Sequence, residues 1–174
     1  MRTLKIFLVF VAVILSGFSK DSLRPDRGVT VPFRFDGMII TNPSSGWTVC
    51  TPPADPSKTI AHARTGWIQG NQSHGGRLIT ELSEYTISSC NTDFATGINT
   101  AFINGVCTVA NGDSYTYTCT MKVNILTGEI ILYLTVTGGT GRFNNAAGQA
   151  TLTGIHTDTG KHPISGWGSL TFAK

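Results

Sequence analysis

The sequence predicts an all-β protein: an eight-stranded antiparallel up-and-down barrel, with a β-sandwich as the alternative. Three observations carry this expectation. The run "SYTYTCTMKVNI" puts Tyr115, Tyr117, Cys119, Met121 and Val123 on one face and Thr116, Thr118, Thr120, Lys122 and Asn124 on the other. That period of two means one buried and one wet face. Turn signals at Asn111-Gly112, Thr127-Gly128 and Thr159-Gly160 punctuate the strand-like runs. The composition, with 20 glycines and only 13% charged residues, suits a secreted β-protein better than a cytosolic helical one.

Taken in order, residues 1–19 read as a signal peptide. Arg2 and Lys5 form a positive n-region, "IFLVFVAVIL" is a short apolar h-region, and Gly17-Phe18-Ser19 offers small residues for cleavage. A membrane span needs ~20 apolar residues, more than this run supplies. Export to an extracellular or periplasmic space is expected, with no membrane attachment after cleavage. Residues 20–28 are a polar, flexible lead, and residues 29–174 form one barrel domain. "VPFRFDGMII" is the first strand, alternating Val31, Phe33 and Phe35 against Arg34 and Asp36. Residues 42–57, "NPSSGWTVCTPPADPS", hold four of the seven prolines and read as an irregular loop. "TIAHARTGWIQ", "GRLITELSEYTIS" and "TAFINGVCTVA" follow as strands, the last entering the hairpin signal "ANGD". After "SYTYTCTMKVNI" come "EIILYLTVTG", "GQATLTGIHT" and "ISGWGSLTFA".

The charge balance excludes some partners. Without Arg2 and Lys5 the 13 basic residues fall to 11 against 10 acidic ones, and no basic run interleaves with aromatics. Nucleic-acid binding has no electrostatic footprint. Four cysteines, Cys50, Cys90, Cys107 and Cys119, follow the signal-like segment. Their even number suggests two disulfides in an oxidising compartment. Cys107 and Cys119 flank the "ANGD" turn, which favours a bridge across that hairpin and leaves Cys50 to join Cys90. Buried free thiols are the alternative.

The stretch "TGGTGRFNNAAGQATLTG", residues 137–154, concentrates glycine after a good strand. A phosphate loop would lead into a helix and carry a lysine. Here a strand-like run follows and no lysine is present. The stretch reads instead as a β-corner with Gly138, Gly139 and Gly141 at its bend and Phe143 as its anchor.

These residues carry a resemblance. "VTGGTGRFNNAAG" resembles the Gly-Gly-Thr/Ser-Gly-x-Phe-x-x-Ala-x-Gly signature of the allene oxide cyclase and dirigent-like β-barrel superfamily. "GNQSHGGRL", "ANGD" and "VPFRF" are similar to other segments of its secreted bacterial members, in the same order over residues 31–148. The resemblance implies an eight-stranded barrel with an apolar interior. The plant cyclases carry a Glu-x-Asn-Glu pattern on their first strand. Here that strand reads Phe33-Arg34-Phe35-Asp36-Gly37, so cyclase turnover is not expected. A shared corner implies fold, not chemistry.

Among polar candidates, His74 stands first because it lies in the family-like segment. It could serve as acid, base or hydrogen-bond donor, or simply tie a loop to backbone. His62, His156 and His162 have no spacing that sets two ligands on one strand face beside a third, so no metal site is expected. Glu81 and Glu84 differ by an odd number and would face opposite ways. Asp113 is placed to close the hairpin turn, and Arg142 to pair with a carboxylate or with corner carbonyls. No cofactor is called for. Three functions fit: a secreted, non-enzymatic barrel that binds a small apolar ligand or serves as a structural module; an isomerase or radical-steering protein; and a carbohydrate-binding module using Trp47, Trp67 or Trp167. The missing acidic pattern leans against an enzyme.

Overall fold

A computed structural model describes residues 28–50 and 60–173. The signal-like segment, all but the last residue of the 20–28 lead, and the proline-rich stretch 51–59 lie outside the described residues. The strands are β1 (Val29–Val49), β2 (Ala61–Gln72), β3 (Gly76–Arg77), β4 (Glu84–Asp93), β5 (Ile98–Thr108), β6 (Ser114–Asn124), β7 (Glu129–Gly139), β8 (Ala147–Ile155) and β9 (Lys161–Phe172). Each long strand pairs antiparallel with its chain neighbour, and β1 pairs with both β9 and β2. The result is a closed ring of eight antiparallel strands, with the two-residue β3 attached outside it to β2. Closure removes the free edges that an open sheet would expose. Among the described residues no helix is long and apolar enough to cross a membrane.

The alternation expected in β6 decides which residues fill the ring. Tyr115, Tyr117, Cys119, Met121 and Val123 are all buried, while Thr116, Thr118 and Lys122 face out. β7 repeats the pattern with Ile130, Leu132, Leu134 and Val136 inside. Two segments depart from expectation. Residues 42–49 are not an irregular loop: β1 continues through them to Val49, with a register shift between Asn42 and Trp47. The bulge survives because Ser45 Oγ accepts the Thr65 N–H at 2.9 Å, replacing a lost ladder bond, and Gly46 takes φ +80°. "GRLITELSEYTIS" is not one strand. A 3₁₀ turn over Thr80–Leu82 separates β3 from β4.

One end of the ring is plugged. Phe143 is fully buried there, with its ring centroid 5.2 Å from Tyr115 and 5.8 Å from Phe172. The glycine stretch makes the corner that brings Phe143 in. Gly138 and Gly141 adopt φ +145° and +55°, which L side chains rarely tolerate, and a 3₁₀ turn spans Gly141–Phe143 before β8 begins. The Arg142 donors at this turn are occupied by the chain itself. Arg142 N–H donates to Asp113 Oδ2 at 3.3 Å, and its Nε reaches the same oxygen at 3.0 Å. A phosphate loop would offer those donors to a ligand. Here the anion they receive is Asp113.

The expected Cys107–Cys119 bridge is absent: both cysteines are free and buried. The hairpin turn at "ANGD" pairs Thr108 with Ser114, so Cys107 lies opposite Tyr115 and Cys119 opposite Ile103. Four residues of offset correspond to ~13 Å along the strand, beyond the ~7 Å that a disulfide can span. Flanking a turn is insufficient; the two positions must be equidistant from its centre. Cys50 and Cys90 are bridged, with Cα atoms 4.6 Å apart.

Candidate functional site

The ring encloses a cavity of about 690 Å³. Its wall follows from the period of two, because the same alternation that wets the outer face sends apolar residues inward from every long strand. Phe33 and Phe35 of β1, Ile103 of β5, Leu132 and Leu134 of β7 and Leu152 of β8 all line it. The plugged end closes the cavity below. Its other end carries the polar residues: His62, His156, His162, Asp158 and Lys161, with Trp47 and Pro43 beside them.

Three histidines converge at this mouth from different parts of the chain. His62 is on β2, His162 on β9, and His156 directly follows β8. The His156 and His162 rings stack with centroids 4.5 Å apart. His62 Nε2 lies 2.6 Å from Oδ1 of Asn99, whose amide donates to Thr92 Oγ1 at 2.7 Å. Asn99 is fully buried, facing inward at a position where β5 otherwise buries apolar residues. Its two bonds satisfy it and fix a tautomer. Because the Asn99 amide nitrogen is committed to Thr92, its oxygen faces His62, and His62 must donate from Nε2. The other nitrogen, Nδ1, is then left as an unprotonated acceptor. His162 is set the opposite way. Its Nδ1 accepts the Thr157 N–H at 3.1 Å, so its proton sits on Nε2. Neutral, the pair offers one acceptor and one donor.

Electrostatics keeps both neutral. Burial pulls the His62 pKa below its ordinary value against the hydrogen bond that His62 donates to Asn99, with His156 adding a smaller downward push. His162 is pulled down to about 4, by burial first and then by its histidine neighbours. Removing an imidazolium from water is costly, and a second positive ring nearby adds to the cost. Among the described residues no group of three His, Cys, Asp or Glu side chains is arranged to hold an ion. The stacked rings of His156 and His162 present faces to one another, not lone pairs to a common point.

His74, the first sequence candidate, lies at the plugged end and away from the cavity. It is exposed, sits at φ +68°, and donates from Nε2 to the Pro32 carbonyl at 2.7 Å. Its own carbonyl accepts Nη1 of Arg142 at 2.6 Å. Asp113 receives Asn111 as well as Arg142, and these partners hold its carboxyl below the usual carboxylate range. His74, Asp113, Arg142 and the corner glycines thus form one structural knot over the Phe143 plug. Glu81 and Glu84 are both exposed. Trp47 and Trp167 are exposed indoles, but the Arg34 guanidinium covers one face of Trp167 at 4.8 Å. Trp67 is half-buried.

The histidine mouth was not visible from spacing along any single strand. β1 stands between β2 and β9, and only ring closure brings His62 and His162 to the same end. A signal was nonetheless present. His162 shares its parity with the inward Ile164, and His62 shares its parity with the inward Ile68. No protein-family model matches this chain, and comparison with curated proteins finds no match.

Proposed function

We propose that this protein is an exported binding barrel that takes a small, largely apolar ligand into its interior without transforming it. The observation that carries this reading is the apolar cavity of about 690 Å³, a size typical of small-molecule sites. A barrel that existed only as a structural module would gain stability by filling that space, since each void forfeits packing energy. The short apolar h-region with its basic flank, together with the Cys50–Cys90 bridge, supports export to an oxidising compartment. The ordered resemblance of four segments to the allene oxide cyclase and dirigent-like barrels supports an apolar interior as the working surface.

A second reading is favoured by one specific feature. The His62–Asn99 pair holds an unprotonated nitrogen at the mouth, which could act as a general base in an isomerisation. Titration with 1-anilinonaphthalene-8-sulfonate, followed by displacement with undecan-2-one, tests the binding reading. Saturable one-to-one binding is expected, and Leu132→Trp, which fills the cavity from β7, should abolish it while the melting transition persists. Absence of saturable binding by the wild-type protein would overturn the reading. Turnover of a bound ketone that is lost in His62→Gln would transfer the case to the isomerase.

A further inference from the structure

The wall of the cavity is not uniformly apolar below the histidine mouth. One lateral row of paired residues crosses four strands: Gly66 of β2 pairs with Tyr85 of β4, Tyr85 with Gly105 of β5, and Gly105 with Tyr117 of β6. Large and small residues alternate across the row, and the alternation has a geometric use. A Cβ added at Gly66 would overlap Tyr85 Oη, and one added at Gly105 would overlap Cζ and Oη of Tyr117. Each phenol therefore lies flat over the bare backbone of its glycine neighbour. Both tyrosines line the cavity, yet each is only 5% exposed.

A phenol set in an apolar wall ordinarily has a hydrogen-bond partner, because an unpaired hydroxyl there forfeits the bonds it would make to water. Tyr85 and Tyr117 make no side-chain hydrogen bond with another described residue, yet their hydroxyls are not sealed orphans: among the described residues the fully buried side-chain atoms without a partner are those of Gln72, whereas the two phenols open onto the cavity. Burial alone accounts for the upward pull on Tyr85, to about 12, and is the first cause of that on Tyr117. Both groups therefore stay protonated and remain donors at any physiological pH. Tyr115 differs, since its hydroxyl meets the Cys107 thiol. Two donors without a partner among the described residues, fronting an otherwise apolar space and given room by two glycines, form a built recognition element.

We propose that the row Gly66–Tyr85–Gly105–Tyr117 is an oxygen-recognition floor: the ligand is an elongated apolar molecule with an acceptor oxygen, a carbonyl or an ether, at its inner end, held by the two phenols. This rests on the ligand-binding reading and adds the ligand's chemical class to it. The floor and the mouth are separated along β6 by the six residues from Tyr117 to Val123. At ~3.3 Å per residue and a strand tilt of ~40° this is about 15 Å along the barrel axis. A ligand spanning that length could place its other end at the acceptor of His62 and the donor of His162. A fatty-acid anion is disfavoured at the inner end, because its charge would meet only neutral phenols and apolar side chains there, and the cation that lines the cavity, Lys161, stands at the mouth.

The test uses two probes of matched shape, undecan-2-one and undecane, each competing against 1-anilinonaphthalene-8-sulfonate on the oxidised full-length protein. The ketone should bind at least tenfold more tightly than the hydrocarbon. The double variant Tyr85→Phe/Tyr117→Phe should erase that preference while binding undecane at least as well as wild type. Deleting unpaired hydroxyls leaves the fold intact, so the variant's melting temperature should be equal or higher. The infrared carbonyl stretch of bound ketone should also sit at lower frequency in wild type than in the double variant. A preference that survives the double substitution, or equal binding of both probes to wild type, would overturn the oxygen floor and leave the apolar pocket standing. Failure of both probes to displace the dye would instead bring down the binding reading, and the floor with it.

Discussion

His162 is the residue whose protonation the fold opposes most clearly. Its imidazole is buried at the mouth, stacked on His156 and committed through Nδ1 to Thr157. Its folded pKa is about 4 against an ordinary 6.5. A depressed histidine means that the unfolded chain binds the proton more readily. Its contribution to stability is therefore complete above pH ~6.5, falls as the pH drops from there to about 4, and falls no further below that. His62, also depressed, adds to the same trend. Melting temperature should accordingly decline between pH 7 and pH 4, and His162→Gln should flatten the decline. An unchanged slope in that variant would remove His162 as its source. The mouth residues also show why the site was hard to read. A histidine's neighbours along the strand are legible, but Asn99, which fixes the His62 tautomer, lies 37 residues away in sequence.

At the scale of elements, the corner between β7 and β8 has the sharpest consequences. Phe143 is fully buried against Tyr115 and Phe172, so Phe143→Ala should cost roughly 3–5 kcal/mol, as for other buried aromatics. Gly138 isolates the backbone part of the argument. Its φ is +145° and a Cβ there would meet no atom within 4 Å, so a loss in Gly138→Val that Gly138→Ala shares measures conformation rather than collision. Chemical denaturation should show both variants destabilised, with Phe143→Ala the worse. A neutral Gly138→Val would mean that the bend relaxes freely. The corner was legible because glycine spacing and a lone large apolar residue are local signals. The long first strand was not, because Pro43 and Gly46 mark a break locally while Ser45, bonded to Thr65 on the neighbouring β2, repairs it. Hairpin register was half legible: the Asn111-Gly112 turn is a local signal, but the bridge depends on the register around it, which sets Tyr115 opposite Cys107 and Ile103 opposite Cys119.

For the molecule as a whole, the cysteines report both the covalent framework and the integrity of the cavity. The Cys50–Cys90 bridge spans a sequence separation of 40, so in the chain-entropy account it contributes roughly 4 kcal/mol. Cys107 and Cys119 line the cavity as free thiols, and burial pushes each pKa up to about 12. At pH 8 only about one in ten thousand of either would be thiolate, the reactive form. A bulky anionic disulfide reagent must also pass an apolar interior to reach them. Native oxidised protein should therefore show no rapidly titrating thiol, and exactly two should appear once denaturant opens the ring. Zero after denaturation would restore the Cys107–Cys119 bridge, and four would abolish Cys50–Cys90. The rate carries further information. If reaction requires opening of the ring, a ligand bound only to the closed form lowers the open population by the factor 1 + [L]/Kd, a hundredfold at a hundred times Kd. Undecan-2-one at that excess should slow thiol labelling by about that factor in wild type and leave Leu132→Trp unaffected. Fast native labelling that the ketone does not slow would describe a wet, open channel in place of a closed apolar cavity, and the thiols would then be the first place where the binding barrel fails.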